Sequence, residues 1–229
     1  MDVRKTFIVL LLLGFLIPAA LPLVSSCPAY AETMPLADVI ARIQSQYDGI
    51  TDLQARFTQE ITLKSMQRTE REGGTVYWKK PQRMLWHYDK PRVKKLIINR
   101  TQAWLYVPED HAAYTQKPGA VIKSQTAVRL FSGFVRLQED FKIHYARPAG
   151  MDKQGNYLLT LTPKDRDAGA ADILVTVDPE RYLISQFRFL DAYGNVTRLS
   201  LENIRTNSNL SDQLFLFRPP PGVEVLPMP

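Results

Sequence analysis

Apolar and polar positions alternate along most of this chain, and helical spacing is confined to short stretches. The first such stretch is Pro35 to Tyr47. There Leu36, Val39, Ile40, Ile43 and Tyr47 recur at intervals of three and four and form one apolar stripe. Pro35 suits a helix start, and Asp48-Gly49 suits its end. A period of two then takes over. Leu53, Ala55, Phe57, Gln59, Ile61 and Leu63 share one face of a predicted strand, with Gln54, Arg56, Thr58, Glu60 and Thr62 on the other. Glu72-Gly73-Gly74 reads as a turn. Strands are predicted at 75–79, 83–88, 93–99, 102–107 and 112–116, most of them bounded by Pro, Gly, Asn or Asp. A second helix is predicted over 124–134, with Val128, Leu130, Phe131 and Phe134 apolar and Gly133 breaking it. Strand spacing resumes at 141–146, 157–162, 172–177, 183–190 and 196–204, and Asp191 to Asn195 reads as a hairpin loop.

This pattern amounts to about eleven strands and two or three helices. The connections are too short for parallel crossovers, so the expected sheet is antiparallel. A sheet that wide curls. The predicted fold is therefore mainly β with an α lid: a half-open barrel whose concave side is covered by the helices and encloses an apolar cavity. No repeat, low-complexity tract or linker divides the chain.

The first residues change the picture of where the chain resides. Arg4 and Lys5 precede an apolar run from Phe7 to Leu23, broken by Gly14, Pro18 and Pro22, and Ala29-Tyr30-Ala31 is a small-x-small cleavage site. Residues 1–31 are expected to be a signal peptide, and 32–229 one domain of 198 residues (229 less 31). Losing Asp2, Arg4 and Lys5 lowers the net charge from +6 to +5, which is only mildly basic. With no polybasic block or RNA-type aromatic motif, nucleic acid is not the expected partner. Cys27 is the single cysteine. It lies ahead of Ala31, so the mature domain needs no disulfide. Leu23 to Cys27 also has the form of a bacterial lipobox, in which the cysteine is lipidated and anchored.

Candidate chemistry is scarce. His87, His111 and His144 lie far apart without metal-ligand spacing, and Ser-x-x-Lys and Gly-x-Ser-x-Gly patterns are absent. No catalytic group, metal or cofactor is expected. The richest stretch is 78–108, with three tryptophans, two tyrosines and three prolines. Apolar and aromatic side chains without reactive neighbours suit holding a greasy ligand rather than transforming it.

The same stretch carries a family resemblance. Residues 47–59, ending Leu53-Gln54-Ala55-Arg56-Phe57-Thr58-Gln59, resemble the first helix end and strand of the LolA family of outer-membrane lipoprotein carriers. Gly74 with Trp78-Lys79-Lys80-Pro81 and Met84-Leu85-Trp86 resembles its glycine–tryptophan signature. Trp104-Leu105-Tyr106-Val107-Pro108 and Phe217 to Val223 resemble two further motifs in the same order. One departure is Lys80, where the family commonly has arginine. Lysine keeps the charge but loses the planar five-donor fork.

The resemblance implies a periplasmic monomer that shields the acyl chains of lipoproteins. It would take acylated lipoproteins from an inner-membrane lipoprotein-releasing ABC transporter and pass them to an outer-membrane receptor where one is present. On that reading Phe57 and Ile61 line the sheet, and Met84 and Trp86 flank the mouth. Val128, Leu130 and Phe131 form the underside of the lid, joined by Leu36, Ile40 and Ile43 of the first helix. Lys80 is the lid latch. Two alternatives stay open: a lipid-anchored, LolB-like receptor if Cys27 is acylated, and a regulatory module that senses lipid or lipoprotein.

Overall fold

The computed structural model describes residues 34–124, 137–164, 172–191 and 193–228. Helix α1 spans Leu36–Asp48. Twelve strands follow among the described residues. The first six are β1 Asp52–Leu63, β2 Arg68–Lys79, β3 Arg83–Lys90, β4 Lys94–Ile98, β5 Ala103–Val107 and β6 Ala112–Gln116. After the short helices α2 (Pro118–Ser124) and α3 (Leu137–Asp140) come β7 Phe141–Tyr145, β8 Tyr157–Pro163 and β9 Ile173–Val177. The last three are β10 Ile184–Leu190, β11 Val196–Thr206 and β12 Glu224–Pro227.

All twelve join one sheet in the order β12-β6-β5-β4-β3-β2-β1-β11-β10-β9-β8-β7. Two meanders, β1–β6 and β7–β11, are stitched together by the long pairing of β1 with β11, which sets Phe57 opposite Leu201 and Ile61 opposite Thr197. Inward-facing residues of ten strands, β1–β5 and β7–β11, belong to a single hydrophobic cluster with α1. A flat sheet this wide cannot bring such distant strands into one core, so the sheet curls around it. Its end strands, β12 and β7, are not paired with each other, and the barrel stays open.

The eleven expected strands all occur, with three differences. Glu72-Gly73-Gly74 is not a turn but lies inside β2; the hairpin turn is at 64–67. Gly74 is there because the strand is bulged: a Cβ on it would stand 2.0 Å from the His87 carbonyl oxygen. The twelfth strand follows the Pro219-Pro220-Pro221 tract and pairs with β6 in parallel, so the sheet is not wholly antiparallel. The long stretch from Asn207 to Val223 gives the chain room to reach that far edge. Third, the second helix predicted over 124–134, with Val128, Leu130 and Phe131, falls outside the described residues except for its first position, which ends α2. The segment 1–31 and Cys27 lie outside them too. Among the described residues no helix is long and apolar enough to cross a membrane.

Candidate functional site

Strand alternation gives the sheet an inner and an outer face, and the tryptophans divide between them. Trp78 and Trp86 point inward and belong to the main core. Trp104 points outward, where Tyr77, Trp104, Leu210 and Phe217 pack around buried Leu85, Ile97 and Phe215. Phe217 lies 5.5 Å from the Trp104 ring and 5.2 Å from that of Tyr106. Two of the sequence motifs thus meet each other on the outside. Their aromatic rings serve to strap the C-terminal segment onto the sheet, not to bind a ligand within it.

On the inner face the centre is aromatic. The Phe57 ring meets Trp86 and Tyr88 edge-on, each with centroids 5.0 Å apart, a favourable quadrupole arrangement. Phe57 is 2% exposed, and Met84 and Trp86 are each 1% exposed. Met84 and Trp86, expected at a mouth, are instead packed into the core. Tyr88 went unnoticed in the sequence, although its even spacing from Met84 and Trp86 puts it on the same row. Burial pushes its hydroxyl pKa far above the ordinary tyrosine range, so the ring stays neutral.

Along β1 the inner row changes character. Leu53, Ala55 and Phe57 are buried, whereas Gln59, Ile61 and Leu63 beyond them are only half-buried. At this more open end Lys94 sits 4.4 Å above the Tyr88 ring and pairs with Glu72 at 2.6 Å. The inner face is therefore sealed at one end and open at the other, with a polar pair at its border.

Helix α1 covers the sealed end. Val39, Ile43 and Tyr47 join the core, Ile40 is buried, and Leu36 is half-buried against the core. Its C-terminal end is held at several points. The Tyr47 hydroxyl accepts the Ile184 amide at 3.1 Å, and Asn207 Nδ2 donates to the Gly49 carbonyl at 3.1 Å. Lys80 Nζ donates to the carbonyls of Tyr47 (3.1 Å) and Asp48 (2.9 Å). These are carbonyls that the helix leaves without intrahelical donors, at its negative end. At the other end the Tyr145 hydroxyl donates to the Met34 carbonyl.

Lys79, the last residue of β2, and Lys80, the first residue of the turn after it, serve opposite faces. Lys79 Nζ turns outward to the Leu210 carbonyl and to Asp212, both at 2.6 Å, and Arg83 reaches the same carboxylate at 3.1 Å. The hydrogen bond from Lys79, helped by the charge of Arg83, holds the Asp212 carboxyl below the usual carboxylate range.

Asp52 was also missed by sequence reasoning. It is 2% exposed, and its carboxylate accepts the amides of Ser208 (2.8 Å) and Asn209 (3.1 Å). Apart from the neighbouring Thr51 hydroxyl at 3.4 Å, its partners are backbone groups more than 150 positions away, so no local spacing could reveal them. Among the described residues no three His, Cys, Asp or Glu side chains stand close enough to share a metal ion.

Comparison with known proteins agrees with this architecture. A family model described as outer membrane lipoprotein carrier protein LolA matches residues 48–218. The outer-membrane lipoprotein carrier protein of Methylococcus capsulatus is 29% identical over 195 residues, spanning 85% of this chain and 88% of the relative. The protein of the same name from Neisseria meningitidis serogroup B is 29% identical over 198 residues, spanning 82% and 86%. Among solved structures, an uncharacterized conserved protein of Thermus thermophilus shares the fold: the TM-score is 0.53 at 14% identity, covering 84% of this chain and 98% of the other. With an open, curled sheet, a helix laid across its inner face and a family match over most of its length, this chain belongs to the LolA family of outer membrane lipoprotein carrier proteins.

Proposed function

We propose that this protein carries lipoproteins by lodging their acyl chains on the inner face of its sheet, beneath α1. The observation that supports it best is the inner row of β1. That row runs from the closed aromatic centre at Phe57 to half-buried Ile61 and Leu63 at the open end. An acyl chain entering there would meet apolar surface in sequence, and shielding it is worth about 0.8 kcal/mol per methylene. Release requires that the empty protein have something to gain, and the packing of α1 against Phe57 and its neighbours provides it. The closed state competes with cargo.

In this account the protein works in the periplasm after cleavage behind Ala31. It acts as a monomer, without a catalytic step. It receives cargo from an inner-membrane lipoprotein-releasing ABC transporter and delivers it to an outer-membrane receptor where there is one. Val128, Leu130 and Phe131 would complete the lining together with Leu36, Ile40, Ile43, Phe57, Ile61, Met84 and Trp86. Lys80 would act as the latch, its contacts at the end of α1 supporting the closed state. The test is binding of a fluorescent apolar probe to the purified protein, with displacement by an acylated lipoprotein. Displacement by the same lipoprotein without its acyl chains would reject the role of the inner face.

A further inference from the structure

Helix α1 is held along one flank for most of its length. At its start the Tyr145 hydroxyl of β7 donates to the Met34 carbonyl. About two turns on, the Arg42 guanidinium lies 5.4 Å from the centre of the Tyr182 ring, a cation–π contact. At its end the Tyr47 hydroxyl accepts the Ile184 amide of β10. Tyr157 of β8 stands between the two other tyrosines, its ring centroid 6.4 Å from each. The three rings make a row beside the helix, and its two steps match the rise of about 12 Å expected from Met34 to Arg42 at helical spacing. The row is anchored in the sheet. Tyr157 is buried, and Tyr182 sits in a turn fixed by the Asp178 carboxylate, which accepts the amides of Glu180 and Arg181 at 2.8 Å each. Tyr182 itself has φ +53, a strained backbone for tyrosine that persists where the surroundings hold it.

These contacts come from one half of the sheet. In strand order β7 to β10 lie on one side of the β1–β11 pair, and the β2–β3 turn that carries Lys80 lies on the other. From that other side Lys80 reaches α1 at the carbonyls of Tyr47 and Asp48, its last two residues. Buried Ile40 stands about 200° round the helix from Arg42, on the flank away from the tyrosine row. A cover tethered along one edge and latched near one end of the other has a built-in direction of movement.

We infer that α1 works as a hinged flap: it stays on β7–β10 through Tyr145, Tyr182 and Ile184, and it lifts on the side of β2 and β3 when Lys80 lets go. Lifting makes room over the aromatic centre at Phe57 and Trp86. Arg42 and the three tyrosines are positioning residues. They keep the flap within reach, so that it closes again once cargo has left. The inference rests on the carrier reading for its purpose, but the hinge contacts themselves need no cargo.

The experiment is hydrogen exchange of the Ile184 amide, followed by NMR in the protein purified as the host cell produces it, with and without a fluorescent apolar probe. That amide reports on the hinge, because its acceptor is the Tyr47 hydroxyl of α1. Tyr47→Phe removes the acceptor and sets the rate of an unprotected amide. In the parent, loading with probe should change the exchange rate by less than about twofold. Arg42→Ala/Tyr145→Phe should speed it on the order of tenfold, and Arg42→Lys alone should stay close to the parent. Arg42 is exposed and Tyr145→Phe keeps the ring, so the fold is not at risk. A second arm joins Arg42→Cys/Tyr182→Cys with a short bismaleimide. The joined protein should bind the probe as tightly as the same variant unjoined. Loading that speeds Ile184 exchange as much as Tyr47→Phe does would mean that α1 leaves the whole sheet, and overturns the hinge. So does an unchanged rate in Arg42→Ala/Tyr145→Phe, or loss of probe binding on joining. Absence of probe binding in every sample would instead reject the carrier site, and the exchange rates of the empty proteins would then decide the hinge on their own.

Discussion

The two faces of one sheet are both covered, but by different means and to different ends. On the outer face a C-terminal strap is fixed by polar contacts at its margins, Asp52 to Ser208 and Asn209 and Lys79 to Asp212, around a small apolar plug of Leu85, Ile97 and Phe215. On the inner face α1 lies on a broad apolar surface and is pinned by hydrogen bonds chiefly near its C-terminal end. A cover laced by directional bonds stays in place. A cover held mainly by non-directional apolar contact can be exchanged for another apolar body, such as an acyl chain. The contrast teaches that aromatic richness alone does not mark the ligand surface: Trp86 and Trp104 stand in one motif-rich stretch, yet only Trp86 faces inward.

The largest expected effect probes what both faces share. Gly74→Ala places a Cβ against the His87 carbonyl at the β2–β3 bulge. Backbone must shift, and a loss of roughly 3 kcal/mol or more is expected in denaturant titration. A loss below about 1 kcal/mol would mean that the bulge relaxes freely.

The next pair sharpens the contrast directly. Phe57→Ala and Phe215→Ala each remove a fully buried ring and should each cost about 3–5 kcal/mol. Only Phe57→Ala should change apolar-probe binding. Equal effects of the two on probe affinity would erase the functional distinction between the faces.

Asp52→Asn keeps the shape of the side chain but removes the charge behind its bonds to the strap, and should cost about 1.5–3 kcal/mol with probe binding unchanged. Lys80→Leu removes a cation from the end of α1. Its stability cost should be near 1 kcal/mol, because the ammonium is partly solvated. Its functional effect should be larger: loading retained, transfer to receptor-bearing membranes impaired, and Lys80→Arg close to the parent. Equal transfer by Lys80→Leu and the parent would reduce the lysine to a helix-end contact.

The smallest effect is one of pH. The Asp212 carboxyl is held below its unfolded value, about 3.9. Its contribution is therefore present above that value and lost as pH falls through the lower folded one. The carboxylate is well exposed, so the gain is slight. The stability difference between the parent and Asp212→Asn should be small at pH 7 and vanish near pH 2, read from denaturant midpoints.

Much of this architecture was legible in the chain itself. The period-two rows of β1 and the stripe of α1 correctly assign Leu53, Ala55, Phe57, Ile43 and Tyr47 to the interior, because alternation and helical spacing are local properties. The bulge at Gly74 was misread as a turn, since two glycines after a charged run look alike in either role. The division of tryptophans between the faces needed the register of β2 to β5, which depends on that bulge and on short turns. The strap could not be foreseen at all: its key partner, Asp52, binds main-chain amides at the opposite end of the chain.

The central claim, that acyl chains occupy the inner face, is tested most directly by the tryptophans themselves. Three proteins that each retain one of Trp78, Trp86 and Trp104, the others changed to phenylalanine, would be loaded with a lipoprotein bearing brominated acyl chains. Bromine quenches indole fluorescence only at close range. Strong quenching of Trp86, with Trp104 unaffected, is the expected result. Quenching of Trp104 equal to that of Trp86, or quenching of neither in a loaded complex, would contradict an acyl site on the inner face.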